Sequence, residues 1–562
     1  KRPTSLEQEQ MIGIGHDGMW FFPSNLPGVL ATEAQQGREL PADHRRRALD
    51  SRAGMLCINH EFGTNFHVLG KDKPESLEEV RRSQAAHGVS VVAIAESWRG
   101  KWEVVPSMNS RRVTGNTEVA FSGPVAGSPL LMNAAGNPPQ GTLNNCGSGP
   151  TPWGTYLTCE ENFNGYFGTD ATAIGEFDAL QDDAYVRYGF SRDGFEYFWH
   201  LFDPRFDLAN PDYANESNRF GWCVEIDPFN STKTPVKRTA LGRFKHEAAA
   251  IKELDDGRIA VYMGDDQRGD YCYKYESNGP WRNYIAAGMS PLDDGKLYVA
   301  RFDGATELDK GDGKGTGEWI ELTYTDSRIS GAGLDTQDKV LTYARLAADA
   351  VGATPMDRPE WSTIGTQGQV YWTLTNNNRK DDGQGELGEA NPIFENTDGY
   401  IIETTDTSAT EFEWSLFVLA RNTRSPSDPG TAIDSQDFRF ADYEAPEDDG
   451  ANVFTDPDAA YADPFGRLFI GTDGGQPDGL QDQLVVFDTN TGEYRRLLMG
   501  VNSDEITGLA PTPDFRTLFT NTQHPGDGSP LSTNFPAEPD GLTIPRDATI
   551  VIRRKDGGIV GS

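Results

Sequence analysis

Histidine and cysteine are scarce in this chain. Its 562 residues include eight histidines, and none fall in an H-x-H or H-x-x-x-H spacing. A histidine-rich zinc site therefore finds no support. The five cysteines are an odd number, so at least one is unpaired within the chain. They are too few for a disulfide scaffold, and no C-x-x-C occurs. No run of about 18 apolar residues marks a membrane span. G-x-S-x-G is missing, so a nucleophile elbow is not expected. Asp50-Ser51 and Asp434-Ser435 look like phosphatase serines but have no zinc-ligand context. Basic residues are outnumbered 86 to 50, for a net charge of −36. Nucleic acid and anionic lipid would be repelled, so neither is an expected partner. Long helical patterns are few. Lys1 is not an initiator methionine and no signal peptide is visible, so the chain reads as a processed form.

Glycine (61) and proline (34) are plentiful, with recurring Asn/Asp clusters. Short strands joined by many turns are expected, an all-β chain. One unit recurs: a turn, an apolar strand and a polar end. It appears as SRAGMLCINHE (51–61), TPWGTYLTCEEN (151–162), DDGRIAVYMGDD (255–266), TQGQVYWTLTNNNR (366–379), DPFGRLFIGTDG (463–474) and PDFRTLFTNTQHPG (513–526). A further copy, DDGKLYVARFD (293–303), follows the third closely and suits another strand of that unit.

Upstream of these turns sits a second pattern. Glu247 lies ten residues before Gly257, Glu360 eight before Gly368, Asp458 eight before Gly466 and Glu505 ten before Phe515. Cys146 lies eight before Gly154, a thiol in the place that an acid takes elsewhere. Six such units predict a β-propeller with insertions, whose innermost strands line a central channel. Residues where the chain enters each blade then converge on one point. Asp and Glu at turns also cap backbone on their own, but five in register favour a shared centre. Helical insertions are expected at 75–88 and 336–352, the second capped by Asp335 or Thr336. EAPEDDGAN (444–452) and ELDKGDGKGTGE (307–318) read as surface loops.

Converging carboxylates raise each other's pKa unless cations offset them. Oxygen ligands suit calcium, and one thiolate among them suits a transition metal. Asn376, Asn377, Asn378 and Arg379 end the fourth unit's strand. An arginine fork beside amide donors suits a phosphate or carboxylate, with Arg379 and Asn376 as the candidate groups. The alternative for Arg379 is a surface pair with Asp381 or Asp382. Asn59, His60 and Glu61 end the first unit's strand, and Asn59 is a candidate substrate contact. His60 and His524 read as structural. Without a serine motif, a metal-activated oxygen is the expected attacking group.

The blocks NNCGSGPTPWGTYLTCEEN, RFKHEAAAI, LAADAVGATPMDRPEW, TNNNR, DPDAAYADPFGRLFIGTDGG and NTQHPGD resemble the PhoX family of bacterial alkaline phosphatases over nearly the whole chain. The resemblance implies a single six-bladed propeller domain over residues 1–562 and a monomer. It implies export in folded form by the twin-arginine pathway to the periplasm, or secretion. It also implies ferric iron and calcium with a bridging oxo or hydroxo group, hydrolysing small phosphomonoesters when phosphate is scarce. Cys146 matches the family cysteine expected to bind iron. Glu247, Glu360, Asp458 and Glu505 match acidic positions, and Glu160, Glu161 and Asp473 match polar strand ends, all expected at the metals. Cys159 is a rival thiolate, and a Cys146–Cys159 disulfide is the structural alternative. A calcium-dependent propeller lactonase of the gluconolactonase kind would need neither iron, thiolate nor arginine. A non-catalytic propeller binding a partner on its acidic face would need no metal.

Overall fold

Six antiparallel strand pairs recur along the chain. They are β1 (His16–Pro23) with β2 (Ala53–His60), and β3 (Asn145–Pro150) with β4 (Tyr156–Glu160). Next come β5 (Ala250–Glu253) with β6 (Ile259–Gly264), and β7 (Pro359–Ile364) with β8 (Val370–Leu374). The last are β9 (Pro457–Ala462) with β10 (Arg467–Thr472), and β11 (Glu505–Pro511) with β12 (Leu518–Gln523). This is a computed structural model, and it describes residues 2–175, 177–304, 312–420, 454–476 and 479–562.

Each second strand pairs with a third, antiparallel one: β6 with Cys272–Ser277, for example, and β12 with Ala548–Ile552. The first strands touch in sequence: β1 meets β3, β3 meets β5, β5 meets β7, β7 meets β9, and β9 meets β11. β11 then returns to β1 and closes the circle. Phe21 and Phe519 stack across that closure with centroids 5.8 Å apart, beside Trp102. Each apolar side chain buried in this way stabilises the fold by about 1.5–3 kcal/mol.

The second strands are rich in β-branched and aromatic residues because they are covered on both faces. Every residue of β6, β8 and β10 is buried. The repeated turn-then-strand unit of the sequence is therefore the second strand of each pair, and the first strand lies upstream, in the first unit beyond an insertion. The copy at 293–303 forms the strand Gly295–Phe302, in the same sheet as β5 and β6.

The helix expected at 75–88 spans Leu77–Ala86, with the Ser76 hydroxyl accepting from the Glu79 amide. That at 336–352 divides into Gln337–Thr342 and Ala344–Val351, parted at Tyr343, whose φ of −116° is not helical. Thr336 stands at its N-cap, without a side-chain cap bond. Part of the expected loop 307–318 is strand, Lys314–Glu321, which pairs with Glu411–Leu419 and joins the third and fourth units in one sheet. The remainder up to residue 311, the tract 444–452 and Asp434-Ser435 lie outside the described residues. Unforeseen helices, Leu26–Gln36 and Ala42–Ala48, separate β1 from β2.

Candidate metal centre

The strand pairs share one irregularity. His16 pairs with His60 and Met19 with Ile58, so Asp17 and Gly18 together face Asn59. Cys146 and Gly147 face Cys159 in the same two-against-one way. So do Glu360 and Trp361 against Thr373, and Asp458 and Ala459 against Gly471. In the third unit, residues 247–249 stand against 263–264. A bulge re-aims the side chain it carries. Here its first residue is Asp17, Cys146, Glu247, Glu360 or Asp458. The sixth unit is the exception. Its bulge starts at Gly508, where a Cβ would lie 2.5 Å from the Asp17 carbonyl oxygen. Glu505, paired with Gln523, supplies that unit's carboxylate from further up the strand.

Two residues before the bulge, the backbone turns left-handed: Gly15 (φ 67°), Asn144 (50°), Arg358 (57°) and Asp456 (48°). Such a conformation costs an L-residue about 1–2 kcal/mol, and the same contact uses it each time. The carbonyl oxygens of Gly15, Asn144, Arg358 and Asp456 accept the amides of Glu61 (2.8 Å), Glu161 (2.9 Å), Thr375 (3.3 Å) and Asp473 (3.1 Å). The Lys245 carbonyl accepts the Asp266 amide at 3.1 Å in the third unit. A second ring of acids, Glu61, Glu161, Asp266 and Asp473, is thereby set beside the first.

Ligand-type atoms of these residues gather within 4.8 Å of one another in four groups of three. Asp17, Glu61 and Cys146 form one; Cys146, Glu161 and Glu247 form the next. Glu247, Glu360 and Asp458 form the third, and Asp473, Glu505 and His524 the fourth. Cys146 and Glu247 each belong to two groups, and the Cys146 thiol donates to Glu247 Oε1 at 2.6 Å.

Burial, then mutual repulsion, pushes Glu61 up to about 8. Asp17 rises to about 6, chiefly through burial. Glu161, Glu247, Glu360, Asp458 and Glu505 are displaced far upward for the same two reasons. The local positive charge is limited. Arg358 grips Asp266 with Nε and Nη2, both at 2.8 Å, and Nη2 lies 2.5 Å from Glu360. Lys245, lowered to about 8 by burial and by Arg345, donates to Asn162 Oδ1 at 2.8 Å.

Cations are the physical remedy for such crowding. The donor set fits them: many carboxylate oxygens for hard ions and one thiol for a softer one. Asp17 Oδ2 is buried with no hydrogen-bond partner, an oxygen ready for a ligand role.

Of the residues singled out from sequence, Cys146, Glu161, Glu247, Glu360, Asp458, Asp473 and Glu505 come together here. Glu160 does not join them. It faces the other way, accepting from the Gly221 and Trp222 amides and from Lys237 Nζ at 2.7 Å. Successive strand residues point to opposite faces, so only one of the adjacent glutamates can reach the centre.

Asn59 is fully buried and has no room for a substrate. It donates to the Cys146 and Gly147 carbonyls and accepts from the Tyr156 and Thr158 hydroxyls, latching two units together. His60 bonds Ser90 Oγ at 2.7 Å, a structural role. Arg379 is 57% exposed, with Asp382 at 3.5 Å, outside the four groups. Asn376 donates to Asp456 and accepts from Arg268. All five cysteines are free, so Cys146 and Cys159 are not bridged. Cys159 Sγ lies 3.9 Å from Cys223 Sγ instead.

Asp17, Glu61, Asp266, Arg358 and His524 also belong here. Glu61 and Asp266 carried a readable signal, an acid within two residues of the end of a second strand. Asp17 did not, because residues 24–52 separate it from the turn that begins its partner strand.

A family model described as "Alkaline phosphatase PhoX" matches residues 2–526. Among solved structures, that of Pseudomonas fluorescens PhoX in complex with vanadate, a transition state analogue, is 41% identical with a TM-score of 0.84. The match covers 100% of this chain and 92% of that one. A gluconolactonase from Xanthomonas campestris (8% identity, TM-score 0.30, covering 92% and 95%) is too distant to carry an argument. No curated protein matches.

Proposed function

The chain belongs to the PhoX family of alkaline phosphatases and hydrolyses phosphomonoesters, and we propose that it does so with ferric iron and calcium held by the two rings of acids around Cys146. The observation that carries this reading is the sharing of Cys146 and Glu247 between neighbouring groups. Shared ligands would hold adjacent ions, with iron suited to the thiol of Cys146 and calcium to the all-oxygen set of Glu247, Glu360 and Asp458. Bound there, the ions would supply Lewis-acid charge and would activate an oxygen nucleophile for phosphorus.

The chain's own residues do the rest. A phosphomonoester dianion approaches a protein of net charge −36, so local donors matter. Arg358 is held rigidly by Asp266 and Glu360. Its Nη1 has no partner among the described residues and is available to a phosphoryl oxygen. Lys245 Nζ has Asn162 as a partner and two N–H donors to spare. Arg358 thus takes the phosphoryl-binding role that sequence alone assigned to Arg379, with Asn376 anchoring the wall behind it.

We read the six strand pairs as the blades of a six-bladed β-propeller, one domain over 1–562. The circular contacts of the first strands support that reading. Among the described residues, no helix is long and apolar enough to cross a membrane. A monomer exported in folded form to the periplasm, or secreted, accords with the family resemblance. The test is an iron and calcium analysis of purified protein alongside an aryl phosphate assay. Phosphatase activity without either metal would sink the proposal.

A further inference from the structure

We propose that Arg268 and Arg379 form an outer anion subsite, which holds a second negative group carried on the leaving-group side of the substrate. The proposal rests on the reading of Arg358 as the phosphoryl donor and extends it outward.

Three arginines of this region differ in exposure. Arg358, 19% exposed, is bound into the acid cluster. Arg268 is half-buried on the short strand Arg268–Asp270, paired with Asp357, the neighbour of Arg358. Arg379 is 57% exposed.

The partners of Arg268 are unusual for this chain. Acidic residues number 86, yet Arg268 has no ion-pair partner among the described residues. Its one hydrogen bond donates from Nη2 to a neutral oxygen, Asn376 Oδ1, at 2.9 Å. Nε is buried with no hydrogen-bond partner. A buried, unpartnered guanidinium N–H is costly unless something fills the place. Asn376 is in turn anchored to Asp456 Oδ1 at 2.8 Å, so the fork is held in position. Arg358 is ion-paired to Asp266 and Glu360, whereas Arg268 makes no ion pair with either acid among the described residues. A group on Arg268 is therefore not the reacting phosphoryl group but one beyond it. Carboxylate or a second phosphate has the planar or multi-oxygen geometry that an arginine fork recognises.

The experiment compares 4-carboxyphenyl phosphate with its neutral counterpart, 4-carbamoylphenyl phosphate, on the metal-replete enzyme. Arg268→Gln should lower the ratio of the two kcat/KM values about tenfold, the scale of one charge-assisted hydrogen bond. Arg379→Ala is on the surface and keeps the test valid if Arg268→Gln misfolds. It should lower the ratio by about threefold, an effect that added salt shrinks. Equal losses on both esters, or an unchanged ratio in both variants, would overturn the subsite. Failure of the parent enzyme to cleave either ester would instead overturn the phosphatase reading, and the subsite with it.

Discussion

Glu160 and Glu161 are adjacent in sequence and opposite in the fold: one accepts from Lys237 at 2.7 Å, the other shares a 4.8 Å group with Cys146 and Glu247. Their substitutions should separate cleanly. Glu161→Gln should lose metal and activity while keeping the fold. Glu160→Gln should keep metal stoichiometry but lose stability by about 3–5 kcal/mol, because it leaves Lys237 buried without its charge partner. Metal analysis and urea denaturation on both variants decide the matter. Metal loss confined to the Glu160 variant would reverse the assignment.

The two thiols make a second contrast. Cys146 is flanked by Asp17, Glu61, Glu161 and Glu247, whereas Cys159 faces Cys223. Cys146→Ser should lose iron, the visible ferric-thiolate absorption and activity. Cys159→Ser should largely keep all three. A colourless, fully active enzyme would argue against sulfur at the iron.

Arg358→Ala should cut kcat by about 10²–10³, the usual cost of a lost transition-state donor. Metal content must be measured in parallel, since Arg358 also neutralises Asp266 and Glu360. Near-normal kcat with full metal content would remove Arg358 from the phosphoryl-binding role.

Calcium removal should abolish phosphatase activity, and calcium alone should restore it. The excess of oxygen ligands over the single thiol motivates this expectation. A calcium-selective chelator, with depletion checked by elemental analysis, provides the measurement. Undiminished turnover in calcium-free enzyme would contradict it.

Hydrolysis of an ester made chiral at phosphorus with oxygen isotopes should proceed with inversion, as a single in-line displacement requires. Ser51 is engaged with the Asp514 amide at 3.1 Å, in the turn before β2 at the far end from the acids. Thr507 is the hydroxyl within the cluster that donates to a carboxylate, Asp17. Net retention would point to a phosphoenzyme, and a trapped phosphothreonine at Thr507 would identify it.

The units themselves were legible in the sequence because their causes are local. A glycine turn, an alternating apolar strand and a polar end are decided within about a dozen residues. An acid or thiol eight or ten residues upstream then marked Cys146, Glu247, Glu360, Asp458 and Glu505 as a set. The side of the sheet each one faces was not legible. For the bulge residues it depends on the extra residue, which shifts the period-2 alternation by one, and for Glu160 and Glu161 on which face of the strand meets the centre.

Membership from across the ring belonged to the tertiary structure alone. Asp17 joins Cys146 only because β1 packs against β3 and β11, with an insertion hiding its partner strand. Asn59 was spent on carbonyls 87 and 88 positions away. Arg358, unlike Arg379, is held in the cluster by a left-handed backbone turn and two carboxylates. Turns and strands follow from neighbours along the chain. The composition of a central site follows from which strand ends meet when the circle closes.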